Sequence, residues 1–290
     1  MRRGPIITVL VAAALVAVVA WRGLGTGAPD APAAPARERM VGEAGRGEVT
    51  VALRDAQAPV AIIEARVPGR PIVLIDPGHG GRDPGTVVPG GLKEKDLTLA
   101  TAQELRERLA EAGRVRVALT RPGDATLSLE QRAAVARAIG AALYVSIHMD
   151  SAPNPQATGV TVYSLADVAS TEEAARLVRA ERERVGQVVT LEDNAVEGLL
   201  TDLALRDQMA ASAAFARRFL RRAEGRVPLR PTPHQFADFV VLRRAQSPGV
   251  LVEAGYISND ADAARLGSKE GRAPLVEALA LAIEADLASR

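Results

Sequence analysis

The chain has 290 residues, a hydrophobic content of 48% and a formal net charge of +1. This length is sufficient for a sizeable core, and the near-zero charge excludes a nucleic-acid partner from our expectations, because no basic excess is available to neutralise phosphates. Cysteine is absent, which excludes disulfides, thiolate metal ligands and cysteine nucleophiles.

The N-terminal segment has the pattern of an export signal. Two arginines precede an uncharged apolar stretch over residues 5–21, and such a pattern is typical of secretion. We therefore expect residues 1–21 to be a signal peptide or an uncleaved signal anchor, and residues 22–48, rich in Ala, Pro and Gly, to be a flexible linker. The predicted location is periplasmic, with contact to the inner membrane only if the anchor is uncleaved.

The rest of the chain alternates strand-like apolar runs with helical patterns. Residues 49–70 predict short leader strands, and residues 71–290 predict one main domain. The predicted strands of that domain are 72–75, 115–120, 143–147, 160–163, 239–242 and 250–252, and its predicted helices are 95–111, 129–139, 208–223 and 274–288. This order predicts a single α/β domain in which a mostly parallel or mixed sheet is flanked by helices on both faces.

Residues 165–205 fit this alternation less well. A charged helical pattern over 171–184 ends near Gly186, and the acidic residues Glu192, Asp193 and Glu197 follow. The length of this segment between two strands predicts an insertion that leaves the core. The alternative is an ordinary pair of solvated helices, since charged runs usually face solvent.

Three ionisable residues follow predicted strands. His79 comes after strand 72–75, His148 directly follows 143–147, and Glu253 directly follows 250–252. Ligands of open α/β sheets bind beyond the carboxyl ends of strands, so we expect one shared site. Glu94, just before the first long helix, can fold back over the same edge.

Two imidazoles and one carboxylate are a common ligand set for catalytic zinc, with a fourth position for water. A further carboxylate can accept the proton of that water. The residues therefore predict a metal hydrolase. Glu94 and Glu253 are equally eligible for the two carboxylate roles on this reasoning alone.

Several motifs occur together in one order. These are DPGHGGRDPG at 76–85, GLKEKD at 91–96, LTR at 119–121, LEQR at 129–132, SIH at 146–148 and LVEAGYISN at 251–259. The set resembles the zinc-dependent N-acetylmuramoyl-L-alanine amidases of bacterial cell separation. The resemblance implies that residues 71–290 are a catalytic domain with one Zn²⁺ ion held by His79, Glu94 and His148, and that Glu253 is the catalytic glutamate.

The family's reaction is hydrolysis of the amide between N-acetylmuramic acid and L-alanine, so the implied partner is peptidoglycan. The insertion at 165–205 resembles the place where some of these amidases carry a helix that blocks the zinc site until an activator protein displaces it. We therefore expect Glu192, Asp193 or Glu197 to approach the metal at rest. His234 is a candidate for the substrate groove, and we expect a monomer.

Two other functions compete with this interpretation. A zinc carboxypeptidase that trims peptidoglycan stem peptides would use the same chemistry. A non-catalytic wall-binding regulator could retain zinc for structure alone, although a structural site has no use for the additional carboxylate of Glu253.

Overall fold

The structure is a computed structural model that describes residues 48–51, 60–185 and 195–289. Strands and helices alternate along this part of the chain. The strands are β1 (Glu48–Val51), β2 (Val60–Ile63), β3 (Ile72–Pro77), β4 (Arg116–Leu119), β5 (Leu143–Asp150), β6 (Val160–Leu165), β7 (Leu229–Ala237) and β8 (Gly249–Tyr256). The helices are α1 (Glu94–Ala112), α2 (Leu129–Ile139), α3 (Glu172–Val185), α4 (Ala195–Ala223), α5 (Val240–Ala245), α6 (Asp260–Gly267) and α7 (Lys269–Ala288).

The strands form one mixed sheet in the order β1-β2-β4-β3-β5-β8-β6-β7. Strands β4, β3, β5 and β8 are mutually parallel, whereas β1, β2 and β6 make antiparallel pairs. The central parallel strands therefore end together at one side of the sheet, called the carboxyl edge below, and begin together at the opposite amino edge. This arrangement gives the expected ligand-binding position at the carboxyl edge.

Helices cover both faces of the sheet, as predicted. On one face α1, α4 and α7 bury residues such as Leu105, Phe215 and Leu279. On the other face α2, α3 and α5 bury residues such as Val135 and Leu242. Strands buried on both sides need apolar residues at successive positions, which explains the unbroken apolar runs of β3, β5 and β8.

The helix ends follow their local sequence. Ser128 caps α2 in a capping box with Gln131. The backbone N–H of Gln131 donates to the Ser128 hydroxyl at 3.1 Å, and the Gln131 side chain accepts from the backbone N–H of Ser128. Gly113 and Gly140 end α1 and α2 with φ of 62° and 60°. Glycine adopts this left-handed conformation without the strain that a Cβ brings, so the predicted ends of both helices are confirmed.

The strand predicted over 239–242 is wrong, because this segment enters helix α5. The carboxylate of Glu181 on α3 accepts the first two backbone N–H groups of α5 at 2.6 and 3.0 Å. The additional strand is β7, whose Pro231 and Pro233 interrupt the apolar pattern that would have predicted it. Proline is tolerated there because β7 lies at the edge of the sheet.

Other differences between the predicted and the observed elements concern their bounds. Helix α4 begins at Ala195 rather than at 208, and α6 was not predicted. Strand β2 lies within the predicted leader region 49–70, β1 begins one residue before it, and both strands belong to the edge of the same sheet. The predicted signal segment 1–21 and nearly all of the linker 22–48 lie outside the described residues. Within the described ranges, no helix combines the length and apolarity that membrane crossing requires.

Candidate active site

His79 lies just past the carboxyl end of β3, with a left-handed backbone φ of 58°. Arg132 holds this loop by donating to the carbonyl oxygens of His79 and Pro77 at 2.5 and 2.7 Å. Asp83 Oδ2 lies 2.8 Å from His79 Nδ1. That hydrogen bond fixes the ring orientation and leaves Nε2 to face the site.

A buried ion pair between Arg132 and Asp76 stabilises the loop that carries His79. Arg132 Nη1 lies 2.6 Å from Asp76 Oδ1, and Asp76 also accepts hydrogen bonds from Thr120, Tyr144 and Ser146. Burial opposes ionisation of Asp76, but Arg132 and these donors outweigh it and lower the pKa of the carboxyl. A buried charge is stable only when it is paired and hydrogen-bonded in this way.

Glu94 is the first residue of α1 and is brought to the carboxyl edge by the loop that precedes it. Its Oε1 atom lies 2.9 Å from His79 Nε2 and 3.1 Å from His148 Nδ1. Its Oε2 atom accepts from the Thr86 amide at 2.9 Å, and Oε1 accepts from the Met149 amide at 3.1 Å. The carboxylate is therefore fixed between the two imidazoles.

His148 occupies the sixth position of β5 and stands edge-to-face with His79, with ring centroids 5.0 Å apart. Two glycines make room for the cluster. A Cβ at Gly78 would overlap the His148 ring, and a Cβ at Gly85 would lie 2.5 Å from Glu94 Oε2 and 2.7 Å from His79 Cδ2. The glycine-rich loop thus permits the close approach of three ligand-type side chains.

Glu253 lies on β8 directly beside His148 in the parallel register of β5 and β8. Its side chain is buried, and its Oε2 atom has no hydrogen-bond partner within the described part of the chain. Burial, followed by the charges of Asp150 and Glu94, raises the pKa of Glu253 well above its usual value. A carboxylate in this environment is suited to accept and return a proton.

The charges of the cluster depend on its internal hydrogen bonds. Burial opposes the charged form of His79, but bonds to Asp83 and Glu94 raise its pKa to about 8. Burial lowers the pKa of His148. Burial also opposes ionisation of Glu94, yet its bonds to both histidines hold its pKa far below the usual value. An ionised carboxylate is the form that binds a metal ion.

Sequence reasoning missed a group of buried polar atoms beside Glu253. Asp150 Oδ2, Thr161 Oγ1 and the Tyr163 hydroxyl have no hydrogen-bond partner among the described residues. Thr161 faces Glu253 in the β6–β8 register, and burial raises the pKa of Asp150 to about 6. Alternation along β6, with Thr161 and Tyr163 on one face, is the sequence signal that could have identified two of them.

The structure does not bring His234 to this cluster. His234 lies on edge strand β7 rather than in a loop, and it pairs in register with Val162, one residue beyond the Thr161 that faces Glu253. Successive strand residues point to opposite faces, so His234 and Glu253 lie on opposite faces of the sheet. His234 Nε2 lies 2.8 Å from Ser164 Oγ instead.

The predicted regulatory acids are only partly covered by the structure. Glu192 and Asp193 lie outside the described residues, and Glu197 falls in the first turns of α4, where side chains are not described. Helix α3, earlier in the same segment, reaches the site: Arg176 lies 3.9 Å from Asp150, and Glu173 accepts from the Tyr256 hydroxyl at 2.6 Å.

Comparison with known proteins identifies the family. A sequence profile described as N-acetylmuramoyl-L-alanine amidase matches residues 73–285. The chain is 34% identical over 218 residues to the N-acetylmuramoyl-L-alanine amidase AmiC of Neisseria meningitidis, covering 74% of this chain and 52% of that protein. It is 32% identical over 216 residues to AmiA of Escherichia coli, covering 73% of this chain and 74% of that protein.

A solved structure agrees with this result. The catalytic domain of CwlV, an N-acetylmuramoyl-L-alanine amidase from Bacillus (Paenibacillus) polymyxa var. colistinus, superimposes with a TM-score of 0.57 at 25% identity, covering 76% of this chain and 99% of that one. The chain spans about half the length of the Neisseria relative. The matched range spans the positions of His79, Glu94, His148 and Glu253, and the chain belongs to the N-acetylmuramoyl-L-alanine amidase family.

Proposed function

We propose that this chain hydrolyses the amide bond between the lactyl group of N-acetylmuramic acid and L-alanine in peptidoglycan, and so remodels the wall and separates daughter cells. One observation carries the proposal: Glu253, whose buried Oε2 atom has no hydrogen-bond partner among the described residues, lies beside the His79–Glu94–His148 group in a chain of the amidase family. The arrangement joins a metal-ligand set to a proton acceptor, the combination that metal-assisted amide hydrolysis uses.

The donor set suits one Zn²⁺ ion. One ligand atom from each of His79, Glu94 and His148 lies within 4.8 Å of the others, and two histidines with a carboxylate are common at catalytic zinc. Asp150 and Glu253 add further buried acidic groups nearby, so a divalent cation would relieve their mutual repulsion. When bound, zinc supplies Lewis acidity to the water and to the amide carbonyl.

Glu253 moves the proton. Its Oε2 atom accepts a proton from the water that attacks the lactyl carbonyl, and the same atom then delivers this proton to the departing amide nitrogen. Burial, which raises the pKa of Glu253, favours retention of the proton between the two steps. The carbon–nitrogen bond breaks, and the products are a lactyl carboxylate and the free amino group of L-alanine.

Digestion of intact sacculi tests this function. The zinc-loaded protein is expected to release stem peptides that begin with L-alanine, identified by mass spectrometry. Release of D-alanine alone would instead establish the carboxypeptidase, and binding to sacculi without any cleavage would establish the regulator. Glu253→Gln should abolish hydrolysis and retain zinc, whereas Glu270→Gln, a control at an exposed position in α7, should keep both.

The same proposal includes a location outside the cytoplasm. Support comes from the basic and apolar pattern of residues 1–21 and from the linker composition of 22–48, both typical of an exported and tethered protein. A wall substrate requires this location. We further propose that the chain acts as a monomer.

We also propose that segment 165–205 restrains the enzyme until a protein activator displaces it. The contacts of α3 with Asp150 and Tyr256 support a position of this segment close to Glu253. Deletion of 190–197 should raise basal hydrolysis of sacculi. The variant Glu192→Gln/Asp193→Asn/Glu197→Gln keeps the length and tests whether the acids themselves restrain activity. Unchanged hydrolysis in both variants would count against autoinhibition.

A further inference from the structure

A groove of about 350 Å³ lies at the amino edge of the sheet, at the opposite end from the metal-ligand cluster. Three arginines line it: Arg70 just before β3, Arg114 just before β4 and Arg222 at the end of α4. Its apolar wall includes Val115 and Leu287. We propose that this groove docks the domain on the anionic headgroups of membrane phospholipids, a role that rests on the proposed location outside the cytoplasm.

The charge of the groove favours an anionic partner. Among the described residues that line it, the acidic one is Glu284, which already pairs with Arg108 and Arg114 at 3.2 and 3.0 Å. Arg70 and Arg222 are exposed, and neither guanidinium has a carboxylate partner in the described part of the chain. Two unneutralised arginines beside apolar side chains match a phosphate group attached to a hydrophobic body, because guanidinium groups bind phosphate strongly.

The groove lies at the same edge of the sheet as Glu48, where the first described strand begins. Glu48, where the described chain enters the domain, pairs with Ile63, and Ile63 pairs with Val117 at the start of β4. The chain therefore enters at the amino edge. The composition of residues 22–47 predicts a linker, and a linker of this length is expected to span about 30 Å, enough for the domain to reach a membrane surface.

This geometry gives the molecule two functional ends. With the groove on the headgroups, the carboxyl edge with His79, His148 and Glu253 points away from the membrane. Substrate that lies beyond the membrane surface then faces the cluster. Each arginine near an anionic surface contributes about 1 kcal/mol of attraction, so removal of two should reduce the surface-bound population relative to the free one about thirtyfold.

A second explanation of these arginines is internal to the fold. Helices α1 and α7 end at the amino edge without a basic residue in their last turns, and Arg222 lies in the last turn of α4. Arginines near helix C-termini stabilise the helix dipole. On that explanation Arg70→Gln/Arg222→Gln lowers the free energy of unfolding and leaves lipid contact unchanged.

The absence of cysteine permits a direct test with single labelled cysteines in the full chain. Val67, in the loop before β3, and Val87, in the loop before α1, are 55% and 52% exposed, and they lie at the amino and carboxyl edges respectively. Val67→Cys and Val87→Cys are labelled with a fluorophore and reconstituted into phosphatidylcholine vesicles with or without phosphatidylglycerol. A water-soluble quencher then reports access to each label.

We expect phosphatidylglycerol to protect the label at 67 and not the label at 87. Arg70→Gln/Arg222→Gln should abolish this protection, and the matched control Arg179→Gln/Arg206→Gln, which removes equal charge from exposed positions, should retain it. Equal quenching in both lipids, protection at both labels, or equal loss in the control would overturn the proposal. Hydrolysis of sacculi is measured separately, so failure of docking is distinguishable from failure of the proposed activity.

Discussion

At the scale of single residues, the metal-ligand cluster depends most on the close approach of the Gly78 backbone to the imidazole ring of His148. A Cβ at Gly78 would overlap the His148 imidazole, whereas a Cβ at Gly123 meets nothing within 4 Å. Neither glycine has a positive φ, so the comparison isolates the added methyl group.

Gly78→Ala should therefore displace His148 and lower zinc affinity about 10- to 100-fold, with a similar loss of hydrolysis. Chelator competition measures the affinity, and a thermal melt verifies that the variant is folded. Gly123→Ala should match the wild type in both measurements. Wild-type affinity in Gly78→Ala would show that the ring can move without consequence.

Asp83 acts through His79 rather than on a ligand directly. Its Oδ2 atom lies 2.8 Å from His79 Nδ1, and an ionised partner at this position raises the basicity of the opposite ring nitrogen. Asp83→Asn should weaken zinc binding about tenfold or more, measured by the same competition. Asp202→Asn, at an exposed position of α4, is the control. Equal affinity in both variants would assign Asp83 to the loop alone.

At the scale of helices and strands, the sequence predicts the features whose signals lie in a few adjacent residues. Unbroken apolar runs predict the central strands, and Ser128, Gly113 and Gly140 predict helix ends because capping depends on a few adjacent residues. The start of α5 was not predicted, because the side chain that accepts its first backbone N–H group belongs to Glu181 of another helix, α3. A cap supplied through tertiary structure leaves no signal in the adjacent sequence.

The contact between α3 and α5 should make stability depend on pH. Burial raises the pKa of Glu181 from its ordinary 4.5 to about 7, although the two amides of α5 oppose the shift. An acid whose pKa rises on folding stabilises the protein fully below its unfolded pKa, and this stabilisation is lost as the pH rises through the folded pKa. The window is therefore about pH 4.5 to 7, with an upper magnitude of about 3 kcal/mol.

Denaturant unfolding of wild type and Glu181→Gln at several values between pH 5 and pH 8 measures this effect. The difference in the free energy of unfolding between the two proteins should change across the window, with the wild type losing stability relative to the variant as the pH rises. Subtraction removes the contributions that other groups make in both proteins. A constant difference across the range would contradict the raised pKa.

At the scale of the whole molecule, the parallel orientation of the central strands explains how much of the site could be predicted from the sequence. His79, His148 and Glu253 each end or follow an apolar run, so parallel strands were sufficient to predict their meeting. The roles of Glu94 and Glu253 needed the family resemblance, because both are simply carboxylates near one edge. Asp150 and Tyr163 needed the folded chain, since burial without a hydrogen-bond partner is a property of packing.

The position of the cluster on a large preformed core predicts how the whole protein responds to metal. A ligand that binds only the folded state stabilises it by about 2.7 kcal/mol when its concentration is a hundred times the Kd. For a domain of this size, zinc binding should therefore raise the Tm by about 5 to 10 °C. A chelator should reverse this rise without unfolding the protein, because the apolar layers on both faces of the sheet do not include the cluster. His148→Gln should abolish the zinc-dependent rise. His234→Gln should keep it, since His234 lies on the opposite face of the sheet from Glu253, and loss of the rise in both variants would contradict the assignment of the metal ligands.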